Sequence, residues 1–177
     1  MKLLTVTPLF PPDIADPAPY VKELATRLTT DYIVTVLAYG SHPEQIKDVT
    51  FISIPKRVSA AIRLGKCIFY LLKETKLHDK VLVQNGPSTE LPAFIASLVY
   101  KEKMILMMSD QKVTYSGWRS KLHNYLRKRI TTLEKDDLAL PMTKPDIHPL
   151  KTYPTESMKI YEQSWESHVT LLNQYLS

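Results

Sequence analysis

The chain has 177 residues, 44% hydrophobic and 23% charged, the balance of a folded globular protein, so global disorder is excluded. That length fits one domain, or one domain with an appendage, better than two full domains. The net charge of +5 is uneven, because residues 112–135 carry seven basic side chains against Glu134 alone, a local +6 that leaves −1 for the rest.

Residues 2–7 form a leucine-rich and β-branched run stopped by proline, which predicts a buried strand. Residues 8–19 hold prolines at 8, 11, 12, 17 and 19 with two aspartates and no glycine, a stiff and shaped loop rather than a flexible linker. Val21, Leu24, Ala25 and Leu28 then recur at helical spacing over residues 20–29, and residues 32–38 read as a second strand. Strand, loop, helix and strand within forty residues make a βαβ unit, which builds parallel sheets.

The alternation continues with a strand at 49–54, a helix at 60–73 edged by Arg63, Lys66 and Lys73, and a strand at 80–84. Ser88 or Thr89 is expected to cap the next helix, with Glu90 at its positive end and Pro92 in its first turn. A fifth strand is expected at 104–108, a basic helix at 118–134 and a sixth strand at 137–141. The fold class is therefore α/β, a doubly wound, mostly parallel sheet with helices on both faces. Residues 145–156, with prolines at 145, 149 and 154, read as a connecting strap. Residues 157–177 read as a helix whose apolar face carries Ile160, Trp165, Val169, Leu172 and Leu176, and which is expected to dock on the domain.

Ligands of open parallel sheets sit at the carboxyl ends of the strands, which selects the loops 8–19, 85–90, 109–118 and 142–146. Neither a dinucleotide fingerprint nor a P-loop is present, and the four glycines (Gly40, Gly65, Gly86, Gly117) cannot supply a glycine-rich phosphate cradle. Asp13, Asp16 and Asp110 have two readings: a convergent carboxylate set for acid–base or magnesium chemistry, or, for Asp13 and Asp16, turn-forming residues of the proline loop. The histidines (His42, His78, His123, His148, His168) lack metal-ligand spacing and are expected on the surface, so no metal is expected. Cys67, the only cysteine, excludes an internal disulfide and reads as a small core residue. The basic window, with Arg119, Lys121, Arg127, Lys128 and Arg129 beside Tyr115, Trp118 and Tyr125, reads either as a patch for anions or an anionic membrane, or as a solvated helix face. No nucleic-acid motif accompanies it, so no nucleic-acid partner is expected. No apolar run approaches the ~20 residues of a membrane span. The first residues are too quickly followed by prolines to be a signal peptide, so a cytoplasmic protein is expected.

These landmarks together resemble a family. The opening at residues 2–14 (KLLTVTPLFPPDI), the helix at 20–28, the strand at 34–37, and the segments at 81–88 (VLVQNGPS), 91–96 (LPAFIA) and 133–143 resemble glycosyltransferase family 4 in order and spacing. The resemblance covers residues 1–144 and implies the N-terminal, acceptor-side Rossmann-like domain of a retaining GT-B enzyme. Residues 161–175 (YEQSWESHVTLLNQY) resemble the helix that ends full-length members and crosses back from their second domain. That second domain, which holds the nucleotide sugar, has no counterpart here.

The resemblance implies an acceptor side formed by Asp13, Ala15, Asp16, Asn85, Gly86, Ser88 and Ser109, with Asp110 as the catalytic candidate. Ala15-Asp16 stands where the family usually has a glycine pair, and Ser109-Asp110 where it often has His-Asp. A nucleotide sugar is implied only if a donor-type Rossmann domain or second subunit completes the chain. Several members dock on membranes through basic, aromatic-flanked surfaces, which implies a peripheral site at the inner membrane face. The alternative expectation is a non-catalytic remnant, or a truncated or engineered structural domain, with a membrane or partner-binding role.

Overall fold

The computed structural model describes residues 1–13, 17–40, 42–108, 116–134, 141 and 155–177. The elements in chain order are β1 (Lys2–Thr7), α1 (Pro17–Leu28), β2 (Ile33–Tyr39), β3 (Val49–Ile54), α2 (Ala60–Leu77), β4 (Lys80–Gln84), α3 (Pro87–Tyr100), a 3-10 turn (Lys101–Lys103), β5 (Met104–Met107), α4 (Trp118–Arg129), β6 (Thr131–Leu133) and α5 (Thr155–Leu176). They fall into two units, Met1–Leu133 and Glu134–Ser177.

The first unit is built on one six-stranded sheet in the order β3-β2-β1-β4-β5-β6, and every pairing is parallel. β1 lies inside it, with Leu3 opposite Val34 of β2 on one side and Lys80 of β4 on the other. Leu3 through Thr7 are all buried, as expected of a strand covered on both faces. Strand parity assigns the layers. Leu4, Val6, Leu37, Val81, Val83 and Leu106 share one core with Cys67 and Leu71 of α2, Ala93 and Ala96 of α3 and Leu126 of α4. The alternate residues Leu3, Val34, Val36 and Leu82 point to the opposite face, and α1 contributes a buried stripe of its own at Ala18, Val21, Leu24, Ala25 and Leu28. This is the doubly wound α/β architecture read from the sequence.

Several boundaries differ from expectation; the last helix, for one, begins at Thr155, inside the expected strap, rather than at 157. α1 begins at Pro17, where proline suits a first helical turn. α2 runs four residues beyond 73, because Thr75 is buried, donates to the Leu71 carbonyl (2.6 Å), and His78 ends the helix with Nδ1 2.7 Å from the Glu74 carbonyl. α3 is capped by Gly86, not by Ser88 or Thr89; the Thr89 hydroxyl lies within reach of the Gln84 and Gly86 carbonyls instead (2.7 and 3.0 Å). The basic helix stops at Arg129. Ile130 is extended (φ −120°, ψ 162°), and with Thr131 and Thr132 it makes three consecutive β-branched residues. Such a run favours a strand over a helix turn. The sixth strand is therefore Thr131–Leu133, paired with β5, where a helix end had been expected. The strand expected at 137–141 falls almost wholly outside the described residues.

In the second unit, α5 buries Tyr161, Trp165, His168, Leu172 and Leu176 at spacings of three and four. Ile160, expected on that face, is exposed, while Tyr161 and His168 take places on it, each edge-on to the Trp165 ring at 6.5 and 5.7 Å. His78, His123 and His168 are all buried, against the expectation of surface histidines. His78 is held between the Glu74 carbonyl and the Thr35 hydroxyl (3.0 Å), partners that no spacing rule reveals. Trp165→Ala should lower stability by about 3 kcal/mol in urea denaturation; an unchanged midpoint would mean that the indole contributes no packing.

Candidate functional site

In the strand order, the chain leaves β1 toward β2 on one side and returns beside it as β4 on the other. The loops after β1 and β4 therefore diverge, leaving a crevice at their carboxyl ends. A groove of about 380 Å³ occupies that crevice, and the first turns of α2, α3 and α4 reach it through Ala60, Ser88 and Arg119. Its walls combine Tyr39, Trp118 and Leu91 with three cationic side chains, Lys56, Arg63 and Arg119. Among the described residues no carboxylate lines it.

The floor is held by buried polar contacts. The Thr7 hydroxyl donates to the Leu9 carbonyl (2.6 Å), which turns the chain out of β1, and Gln84 at the end of β4 sits beside it. Asn85 is buried, and its backbone N–H donates to the Met107 carbonyl (3.0 Å), tying the β4 exit to β5. Gly86 meets the first loop closely: a Cβ there would lie 3.3 Å from Pro8 Cγ. The Tyr39 hydroxyl donates to the Ser88 carbonyl (2.9 Å) and pins the first turn of α3 against β2.

Behind the groove, Glu90 is only 2% exposed yet fully engaged. One carboxylate oxygen accepts the Gly86 N–H (3.1 Å), and the other lies 2.8 Å from Nδ1 of His123 on α4. Glu90 was legible as a first-turn acid, but its partner was missed. The signal was present: His123 is three residues before Leu126 and seven before Ile130, on the inward stripe of α4.

Of the residues expected on the acceptor side, Ser88 lines the groove, whereas Asn85 and Gly86 form the turn beneath it. Asp13 lines a smaller neighbouring cavity of about 190 Å³ and grips Lys56 Nζ with both oxygens (2.6 and 2.7 Å). Lys56 borders both cavities, so this ion pair stands between them. Ala15, Asp16, Ser109 and Asp110 lie outside the described residues. Among the described residues no cluster of three His, Cys, Asp or Glu side chains could hold a metal ion.

The five described cations of the basic window go separate ways. Arg119 lines the groove. Arg129 folds onto α3 and donates to the Ser97 carbonyl (3.0 Å). Lys121 and Lys128, seven residues apart, share the outer face of α4 with the exposed Trp118 and Tyr125, and Arg127 is exposed at the helix end. Among the described residues no helix is long and apolar enough to cross a membrane.

Cys67 lies beneath the groove in the core. Burial pushes its thiol up from an ordinary 9.0 to about 11, with the hydrogen bond to Tyr39 acting in the opposite direction. Burial likewise raises the Tyr39 phenol, and Cys67 adds to the rise. Across about pH 9–10 the unfolded thiol loses its proton while the folded one keeps it, so the unfolded state binds fewer protons and stability falls as pH rises. Denaturant midpoints should decline over that window, and Cys67→Ala should flatten the decline. Equal slopes in both proteins would contradict the assignment.

Comparison with known proteins adds no assignment: no protein-family model matches the chain, and no curated protein matches it either.

Proposed function

We propose that this chain is the acceptor-side half of a retaining, family 4-like glycosyltransferase, which carries an acceptor in the β1/β4 crevice while a donor-type domain brings the nucleotide sugar. The observation that carries this reading is the open groove of about 380 Å³ at the point where β1 and β4 diverge. Pockets of this size, apolar in the main with a few polar groups, suit a small ligand or one end of a larger one. The resemblance of residues 1–144 to the family supplies the reaction class, since an α/β sheet alone hosts many chemistries. In this reading Trp118 offers a flat, exposed face for a sugar ring or lipid segment. Tyr39 and Ser88 set the shape of the wall, and the buried Glu90–His123 pair fixes α3 against α4 so that both walls keep their spacing.

The groove is one half of a site. Its described lining holds no glycine-rich turn for a diphosphate, and the resemblance assigns the donor contacts to a second domain. Calorimetry of the chain alone should therefore detect no nucleotide-sugar binding at micromolar affinity and no transfer. Transfer should appear when a matching donor-type domain is supplied. Tight nucleotide-sugar binding by the chain alone would overturn this reading.

A second reading, contact with an anionic membrane surface, is favoured by α2. Its outer face presents Ile62, Phe69 and Leu77, which are 52, 62 and 55% exposed, interleaved with exposed Lys66, Lys73 and Lys76. Apolar side chains among cations on one helix face suit an anionic bilayer, each lysine contributing about 1 kcal/mol. The chain should co-sediment with anionic but not neutral vesicles at low salt, and Phe69→Glu combined with Lys73→Glu should abolish it. Equally negligible binding to both vesicle types would remove this reading.

A further inference from the structure

We propose that the chain forms a two-fold dimer in which the outer edge of β3 pairs antiparallel with β3 of a second copy, joining the two six-stranded sheets into one. Among the described residues β3 contributes nothing to the lining of the β1/β4 groove, so the inference does not depend on the acceptor-side reading.

The backbone supplies the first argument. The Gly40 N–H donates to the Ile54 carbonyl (3.0 Å), which fixes the phase of the β2–β3 ladder. In a parallel ladder alternate residues turn their backbone groups to alternate sides. Thr50, Ile52 and Ile54 therefore face β2, while Val49, Phe51 and Ser53 direct theirs outward. The Val49 N–H is taken by the Ile46 carbonyl (3.3 Å). The Val49 carbonyl and both groups of Phe51 and Ser53 remain, and no backbone group of a described residue bonds to them from outside the sheet. The connection from β2 leaves them open. Glu44 ties it to Lys22 of α1, and the Glu44 N–H donates to the Pro11 carbonyl (2.9 Å), which holds it on the α1 face.

Nor does the strand carry the features that keep edges apart. Edge strands are blunted by proline, by lysine or by short length. β3 runs Val49–Ile54 (VTFISI), six residues without a charge, proline or glycine, and it pairs with β2 along its whole length. Thr50 is exposed, and Val49, Phe51, Ile52 and Ser53 are half-buried. The Phe51 ring stands edge-on to Phe10 at 5.0 Å, and Ile52 packs against the core on the other face. An added strand would cover apolar side chains on both faces while meeting the free backbone groups.

Two observations select a second copy as that strand. The free groups are symmetric about Phe51. Antiparallel pairing centred there lets the two Phe51 residues exchange both bonds, and each Ser53 N–H meets the Val49 carbonyl of the other copy. Charge selects the same orientation. Asp48 precedes the strand and Arg57 follows it, both exposed, while Lys56 is held by Asp13. Antiparallel copies bring Asp48 of each toward Arg57 of the other, whereas parallel copies would set like charges together. The two-fold axis is normal to the sheet, so both α2 helices lie on the same side of the joined sheet.

Sedimentation equilibrium of the full chain at micromolar concentrations should show a reversible monomer–dimer equilibrium. Ser53→Pro removes the outward N–H without touching a bond to β2, and should weaken the dimer about tenfold or more. Ser53→Ala loses only the hydroxyl contact to the Gly40 carbonyl (2.6 Å) and should leave the dimer intact. Asp48→Lys and Arg57→Asp should each weaken it, and the double variant should restore it. Melting temperatures separate loss of pairing from loss of folding, and if Ser53→Pro does not fold, the charge reversals decide. A monomer at every concentration, which would leave the edge to a strand of another protein, overturns the inference. So does a dimer that survives Ser53→Pro and both charge reversals, because it is joined elsewhere.

Discussion

The pairing of β1 with both β2 and β4 is the constraint on which the rest of the first unit depends. Among the described strands, β1 is the one whose two neighbours are reached by opposite excursions of the chain, out through α1 and back through α2. A right-handed crossover in each direction puts α1 on one face and α2 on the other. Beyond the close approach of Gly86 to Pro8, it also sends the chain leaving β1 and the chain leaving β4 to opposite faces of the sheet. The crevice is thus a topological by-product of folding the core, and its cost is covered by strands that are buried whatever the crevice later binds.

What converts a crevice into a shaped groove is the polar network at the β4 exit. Glu90 links the Gly86 turn to His123, Tyr39 ties Ser88 to β2, and Asn85 ties the turn to β5. Each of these groups is buried or half-buried, where an unmet donor or acceptor would be costly, so the contacts fix the turn in one geometry. The groove walls then inherit the rigidity of the sheet. Arg63, Trp118 and Arg119 stand at the starts of helices whose positions the core has already set.

Charge is organised by the same geometry. The seven cations of residues 112–135 look like one patch in the sequence, yet the described members face different surroundings, because consecutive helical positions lie 100° apart. Arg119 joins Arg63, distant in sequence, whereas Arg129 joins Ser97. The outer faces of α2 and α4 carry lysines with exposed apolar side chains.

The sequence by itself determined the α/β class and most of the elements. The apolar runs at 2–7, 32–38 and 80–84 read as strands, and Val21, Leu24 and Leu28 recur at helical spacing. It also marked the carboxyl-end loops as candidate ligand loops, and Ser88 of one of them lines the groove. Only the tertiary structure decided that the last described strand begins at Thr131, since the β-branched residues after Ile130 needed the β5 edge to pair with. It alone brought His123 to Glu90 and Arg63 to Arg119's groove, residues 33 and 56 positions apart respectively. The physical reason is that periodicity reports which way a side chain faces relative to its own element. Partnership across elements depends on strand order, which local pattern does not encode.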